Sequence, residues 1–146
     1  MFKVRRRIRV ARRARKPRPW SQAVINHYAE HKEAARALCH ERLEHYNQHY
    51  NLHFNRVAIR NTRSRWGSCS SKKNLNFNYR ILFLSPELQD YLIVHELCHL
   101  QEMNHATQFW SLVEEQIPNY KENIKQLRAA EKDFFGPRNI SLSQEY

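Results

Sequence analysis

The chain has 146 residues, 41% hydrophobic and 12% aromatic, which suits one domain with a buried core and excludes a disordered chain. Two Gly and five Pro exclude a collagen-like or linker-dominated architecture. The net charge of +11 is concentrated: residues 1–20 hold ten of the 25 Lys and Arg and no acid, so the remaining 126 residues are close to neutral at +1.

Residues 1–19 therefore form a basic N-terminal arm. Its apolar residues Phe2, Val4, Ile8 and Val10 sit at even positions, as in a strand with an Arg-rich face. Lys16-Pro17-Arg18-Pro19 ends it, because Pro breaks a helix. Ser21 then caps a helical stretch that extends, with breaks, to about Tyr50, and Ala34, Leu38, Leu43, Tyr46 and Tyr50 supply its apolar stripe. From about Asn55 the pattern turns to short extended pieces. Val57 and Ile59 alternate with polar neighbours, Trp66 to Ser70 follows, and Asn74 to Leu84 carries Leu75, Phe77 and Tyr79 at period two. Ser70 to Asn74 is the turn between the last two, and the three pieces predict a small antiparallel sheet.

Ser85-Pro86-Glu87 opens the next helix with a capping hydroxyl, a Pro at the first helical position and an acid in the first turn. It should run from Pro86 to about Glu102. Apolar residues surround most of its circumference, so it should be buried. Two further helices, Ala106–Gln116 and Asn119–Phe135, are separated at Pro118, and Gly136-Pro137 stops the last. Residues 138–146 are a polar tail. The expected class is α+β, with one domain over residues 20–137.

Other features set the compartment. The longest apolar runs, Ile81–Leu84 and Tyr91–Val94, are far short of a membrane span, and the basic opening leads into no long apolar segment. Cys39, Cys69 and Cys98 are odd in number and irregularly spaced, so no disulfide framework is implied. The expectation is a soluble, monomeric, cytoplasmic protein with no membrane partner.

The chemistry lies in His95-Glu96-Leu97-Cys98-His99, inside the buried helix. Residues four apart share a helix face at roughly 5–6 Å between Cβ atoms. Two imidazoles so placed can bind one tetrahedral zinc ion. Glu96, next to the first imidazole, can take a proton from a water whose pKa the metal lowers, and return it to a leaving amine. His105 is the expected third ligand, reached by a tight turn in which Asn104 tolerates a left-handed conformation. Glu114 or Glu115 is the carboxylate alternative, with Glu102 behind them.

His95-Glu96-Leu97-Cys98-His99-Leu100, then Asn104-His105 and Phe109-Trp110, resembles the YgjP-like metallopeptidase family. So do Arg65-Trp66-Gly67-Ser68-Cys69-Ser70, Asn76-Phe77-Asn78, Pro86 and Asp90-Tyr91-Leu92-Ile93-Val94, over roughly residues 56–128. That family is similar to the SprT and WLM zinc peptidases, compact members of the zincin fold. The resemblance implies a zincin-like domain, one zinc held by His95, His99 and His105, Glu96 as catalytic base, and the Trp66–Cys69 segment in the sheet beside the site. A peptide or protein is the implied substrate.

Several residues compete for roles. His27/His31 and His45/His49 are pairs four apart that no Cys pattern supports as a second metal site; with His40 and His53 they are taken as solvent-facing. Cys98 points about 100° away from the His face and suits the core, and Cys69 has no base paired with it. Arg63 and Arg65 are candidates for holding substrate or an oxyanion. Tyr79, Tyr91 and Tyr120 are further oxyanion candidates, whereas Trp66, Phe109 and Trp110 suit the core. The Asn74–Tyr79 strand is a candidate exposed edge for an extended substrate. The arm, residues 3–18, suits phosphate contacts with nucleic acid, a solubilising tail or, less well, a targeting sequence. The expected function is a zinc metallopeptidase. The rival is a nucleic-acid-associated protein with a purely structural zinc, or a peptidase brought by its arm to DNA-bound proteins.

Overall fold

The computed structural model describes residues 16–136. Most of the arm, residues 1–15, and the tail, residues 138–146, lie outside the described residues, and with them the alternating strand expected at Phe2–Val10 and nearly all of the 3–18 nucleic-acid segment. The elements in order are α1 (Gln22–Tyr50), β1 (Arg56–Arg60), β2 (Gly67–Cys69), β3 (Asn74–Asn78), a 3₁₀ helix (Tyr79–Phe83), α2 (Pro86–Cys98), α3 (Thr107–Gln116) and α4 (Tyr120–Phe135). The class is α+β. No described helix is long and apolar enough to cross a membrane.

α1 is one unbroken helix of 29 residues rather than an interrupted one. The Ser21 hydroxyl accepts from the Val24 N–H, and the helix closes at Asn51, whose left-handed backbone (φ 51°) lets its N–H reach the Asn47 carbonyl. Its buried stripe is Ala35, Cys39, Leu43 and Tyr46. Ala34, expected in the stripe, is exposed, and Leu38 and Tyr50 lie at its margin. Spacing alone does not choose between adjacent small residues; the faces of α2 and the sheet do. α1 is tied to α2 by Arg42, which donates to both oxygens of Asp90 at 2.6 Å, and by the Tyr46 hydroxyl at 2.9 Å.

The sheet corrects the expectation of an antiparallel one. Its order is β1-β3-β2, with β3 parallel to β1 and antiparallel to β2. The β2–β3 pair is a hairpin whose turn places Lys73 at positive φ (59°). The β1–β2 connection instead crosses the end of β3. Asn78 holds that crossing: its buried side-chain amide donates to the carbonyls of Thr62 and Arg65 at 3.0 and 3.1 Å. Strand alternation carries no information about this path. β3 is therefore the central strand, not the exposed edge expected for Asn74–Tyr79, and the short β2 is the edge on its far side.

Leu75 and Phe77 point into the core with Ile59, and Tyr79 continues inward from the 3₁₀ helix, where the strand pattern expected to reach Leu84 ends. α2 is buried almost throughout, from Leu88 and Tyr91 to Cys98. It packs against α1, α3, α4 and β2. Phe134 and Phe135 of α4 close over the fully buried Trp66.

Candidate metal centre

α2 ends at Cys98, short of the expected Glu102. The Leu100 and Gln101 N–H groups bond the carbonyls three residues back, Leu97 and Cys98, at 3.1 Å each, tightening the last turn. The chain then reverses and returns at His105. Asn104 does not take the left-handed conformation expected of it; positive φ among described non-glycine residues occurs only at Asn51 and Lys73.

This reversal brings three ring nitrogens together. The Nε2 atoms of His95 and His99 are 3.1 Å apart, those of His99 and His105 3.0 Å, and those of His105 and His95 3.2 Å. Ligand atoms at about 2.0–2.1 Å around a tetrahedral ion stand roughly 3.3–3.4 Å apart, so the triangle is close to metal-binding size. Among the described residues this is the one cluster of three or more His, Cys, Asp or Glu whose donor atoms converge. Glu102, Glu114 and Glu115 are outside it. The Glu115 carboxylate instead meets His49 Nε2 at 2.7 Å.

A hydrogen bond sets the His99 tautomer. His99 Nδ1 lies 2.9 Å from the Glu102 carbonyl, which can only accept, so Nδ1 carries the proton and the Nε2 lone pair faces the cluster. His95 Nδ1 lies 3.2 Å from the Tyr91 hydroxyl, one turn earlier on α2. Such outer partners orient metal-binding imidazoles and raise their basicity. Burial, with His99 and His105 adding to it, holds the His95 imidazole well below its ordinary pKa. It is therefore neutral near pH 7, the form a metal requires. Phe109 stacks on His99 at 4.4 Å, Trp110 on His105 at 5.7 Å, and Tyr120 on Trp110 at 5.0 Å. The aromatic pair expected in the core is thus also the wall that fixes two of the imidazoles. The donor set, three imidazoles whose Nε2 atoms converge, fits a zinc-type ion.

Glu96 is 2% exposed and lies against β2. A Cβ built on Gly67 would come within 2.8 Å of the Glu96 Oε1 and 2.9 Å of its Cγ, with the Asn76 carbonyl at 3.0 Å. Gly67 is thus required by close approach, and it seats the carboxylate between helix and sheet edge. The cavity at the cluster, about 330 Å³, is lined by the three His and Glu96 on one side and by Arg65, Gly67, Ser68 and Cys69 on the other. Burial and the nearby Glu96 push the Cys69 thiol up to about 11, so it is no thiolate nucleophile at neutral pH. Cys98 is buried with its thiol at about 12, away from the cavity.

The two candidate arginines separate. Arg63 stacks on Trp20 at 3.6 Å and donates to the Arg18 carbonyl, anchoring the start of the domain. Arg65 faces the cavity. Of the oxyanion candidates, Tyr91 is wholly buried behind His95, Tyr79 bonds His27 Nδ1 at 3.0 Å on another face, and Tyr120 is stacked under Trp110. None of the three lines the cavity. The His-rich α1 builds no second cluster among the described residues. The sequence places Trp66–Cys69 beside the site, but it does not show Gly67 as the seat of Glu96 or the Glu102 carbonyl as the partner of His99. The Gly in Trp66-Gly67-Ser68 was the available signal, but nothing local tells what approaches it.

Two imidazoles one helical turn apart, a third returned by a chain reversal, and a carboxylate seated beside them on an α+β frame define a metal-dependent hydrolase. The chain belongs to the YgjP-like family: the family's metallopeptidase domain matches residues 3–130. It is accordingly a metallopeptidase, and the match reaches well upstream of the 56–128 stretch that carries the visible motifs. Among solved structures, the chain is similar to the metallopeptidase zymogen abylysin of Pyrococcus abyssi, with 24% identity, 63% of this chain and 93% of that one covered, and a TM-score of 0.58. It is also similar to the zymogen jannalysin of Methanocaldococcus jannaschii, with 24% identity, coverage of 67% and 95%, and a TM-score of 0.51. At that identity the likeness is one of fold. No curated protein matches the chain in sequence.

Proposed function

We propose that the chain is a zinc-dependent peptidase in which His95, His99 and His105 hold one zinc per chain and Glu96 is the general base. The convergence of three Nε2 atoms within 3.2 Å beside a buried carboxylate carries this reading. When bound, zinc supplies Lewis acidity, making a water acidic and polarising the scissile carbonyl. Glu96 removes the proton of the attacking water and passes it to the leaving amine, so its carboxylate must stay ionised before attack and close to the reacting atoms. Gly67 permits that closeness. Tyr91 and the Glu102 carbonyl hold the two helix-borne imidazoles in place.

The domain responsible is residues 20–137, with the arm before it and the polar tail, 138–146, after it. A purely structural zinc normally has four protein ligands, whereas three converge among the described residues, which would leave a position for water and substrate. Free cysteines at 39, 69 and 98 suit a reducing compartment such as the cytoplasm. The ten Lys and Arg of residues 1–20 favour an added role: the arm brings the peptidase to nucleic-acid-bound proteins. That binding should weaken steeply with salt.

The test is elemental analysis and peptide hydrolysis on three proteins. The wild type should hold close to one zinc per chain and cleave peptides. Glu96→Gln should keep zinc and fold while losing activity by about 10²–10⁴-fold, and His105→Ala should lose both metal and activity. Full zinc in His105→Ala, or full activity in Glu96→Gln, overturns the assignment.

A further inference from the structure

The metal cavity does not stop at the imidazoles. A second hollow of about 450 Å³ adjoins it along β2, and Arg65, Gly67 and Ser68 line both. Its far end is bordered by Arg60 of β1. The two hollows form one groove that starts at the metal site, passes Arg65 and the β2 edge, and crosses the sheet over β3 toward Arg60 on β1.

The charge along this groove is one-sided. Glu96, at the metal end, is the only acidic residue among the described ones that lines either hollow. Among the described residues, no carboxylate forms an ion pair with Arg60 or Arg65. Both are exposed, and the Arg60 side chain makes a long bond, 3.4 Å, to the Asn76 side-chain oxygen. The neighbouring Arg63 and Arg80 are committed elsewhere, the first to Trp20 and the Arg18 carbonyl, the second to Asn61 and Thr62. The rest of the second hollow is hydroxyl, amide and aromatic, with nothing to neutralise a cation. Guanidinium groups without carboxylate partners recognise carboxylates well, because their planar N–H pairs match the two oxygens.

We propose that this groove is a specificity subsite for an acidic side chain, so that the enzyme prefers peptides carrying Glu or Asp at a fixed distance, on one side, from the bond it cuts. The inference rests on the peptidase reading above. A substrate chain that extends past the metal site, over β2 and across β3, places one flank in the Arg60–Arg65 hollow and leaves the other flank outside it. Acid preference is therefore position-specific. The Arg-rich arm would also attract acidic peptides, but without regard to position, which separates the two sources.

The experiment uses the zinc-loaded full chain at near-physiological salt with a decapeptide series in which each position in turn is Ala, Gln, Glu or Lys. The same peptides are titrated by anisotropy onto Glu96→Gln. One or two positions on one side should favour Glu over Gln by about tenfold in kcat/KM, and Arg60→Glu should invert that ratio toward Lys at the same positions. Cleavage with no preference, or with a preference equal at every position or unmoved by Arg60→Glu, overturns the subsite and leaves the peptidase standing. If no peptide is cut, a position-specific Glu preference in binding that Arg60→Glu inverts supports the acidic subsite and removes the peptidase reading. Absence of both cleavage and preference in binding overturns both.

Discussion

α1 and α2 bury themselves in different ways, and the difference separates stability from chemistry. α1 spreads 29 residues over the surface and buries four of them, Ala35, Cys39, Leu43 and Tyr46, on one stripe. α2 has 13 residues and buries nine, including His95 and Glu96. A stripe of neutral side chains needs only a facing surface. Burying an imidazole and a carboxylate costs free energy unless each is hydrogen-bonded, paired or metal-bound, so α2 depends on groups supplied by β2, the 99–105 reversal and α3.

The contrast can be broken first at its structural end. Leu43, 1% exposed on α1, belongs to the core and does not line the metal cavity. Leu43→Ala should cost about 2–5 kcal/mol in denaturant unfolding, while kcat per folded molecule stays within twofold. A large fall in kcat at unchanged folded fraction would show that α1 reaches into the chemistry.

At the other end, Gly67→Ala places a methyl against the Glu96 carboxylate and the Asn76 carbonyl. Because the carboxylate end is the part able to move, the fold should persist and zinc stay bound while kcat falls by about 10²-fold, the cost of a displaced reacting group. Loss of zinc instead would mean that the strain is relieved by moving α2 as a whole.

Tyr91→Phe removes the hydroxyl beside His95 Nδ1. Zinc affinity, measured by competition with a chelator, should drop by about tenfold. Unchanged affinity would leave Tyr91 as packing alone.

The smallest effect is expected at Glu131, buried near Trp66. Burial raises its carboxyl pKa against the opposing pull of Arg128 and of the Trp66 indole N–H, which sits just outside hydrogen-bonding geometry. An acid raised in the folded state contributes most below its ordinary pKa and loses that contribution as pH rises through the folded value. Glu131→Gln should therefore raise the melting temperature relative to wild type, and the gain should be larger at pH 8 than at pH 4. A gain independent of pH would assign the effect to packing.

The contrast between the helices also explains what could be read from the chain. Pro86 and Glu87 mark the start of α2, although the Ser85 hydroxyl expected to cap it makes no cap bond; Pro118 separates α3 from α4 and Gly136 closes α4, because breakers act through their own neighbours. His95, Glu96 and His99 stood out because one helical turn puts the imidazoles on one face, a local consequence of a 3.6-residue repeat. The end of α2 was placed four residues too late, since Leu100–Glu102 is helix-compatible by composition and unwinds only where His105 must return.

Sheet direction was out of reach of alternation: Val57/Ile59 and Leu75/Phe77 show the same period in a parallel or an antiparallel pair, and the choice depended on Asn78 clasping a crossing loop. Likewise, nothing local divides Arg63 from Arg65, two residues apart in one loop. By itself the sequence determined the helices, the α+β class and the imidazole pair with its carboxylate, all consequences of neighbours within about a turn. Tertiary structure alone decided the strand order, the seat of Glu96 on Gly67, the orienting partners of His95 and His99, and which arginine faces the groove. Those depend on groups brought together from distant parts of the chain, whose approach is set by packing rather than by spacing.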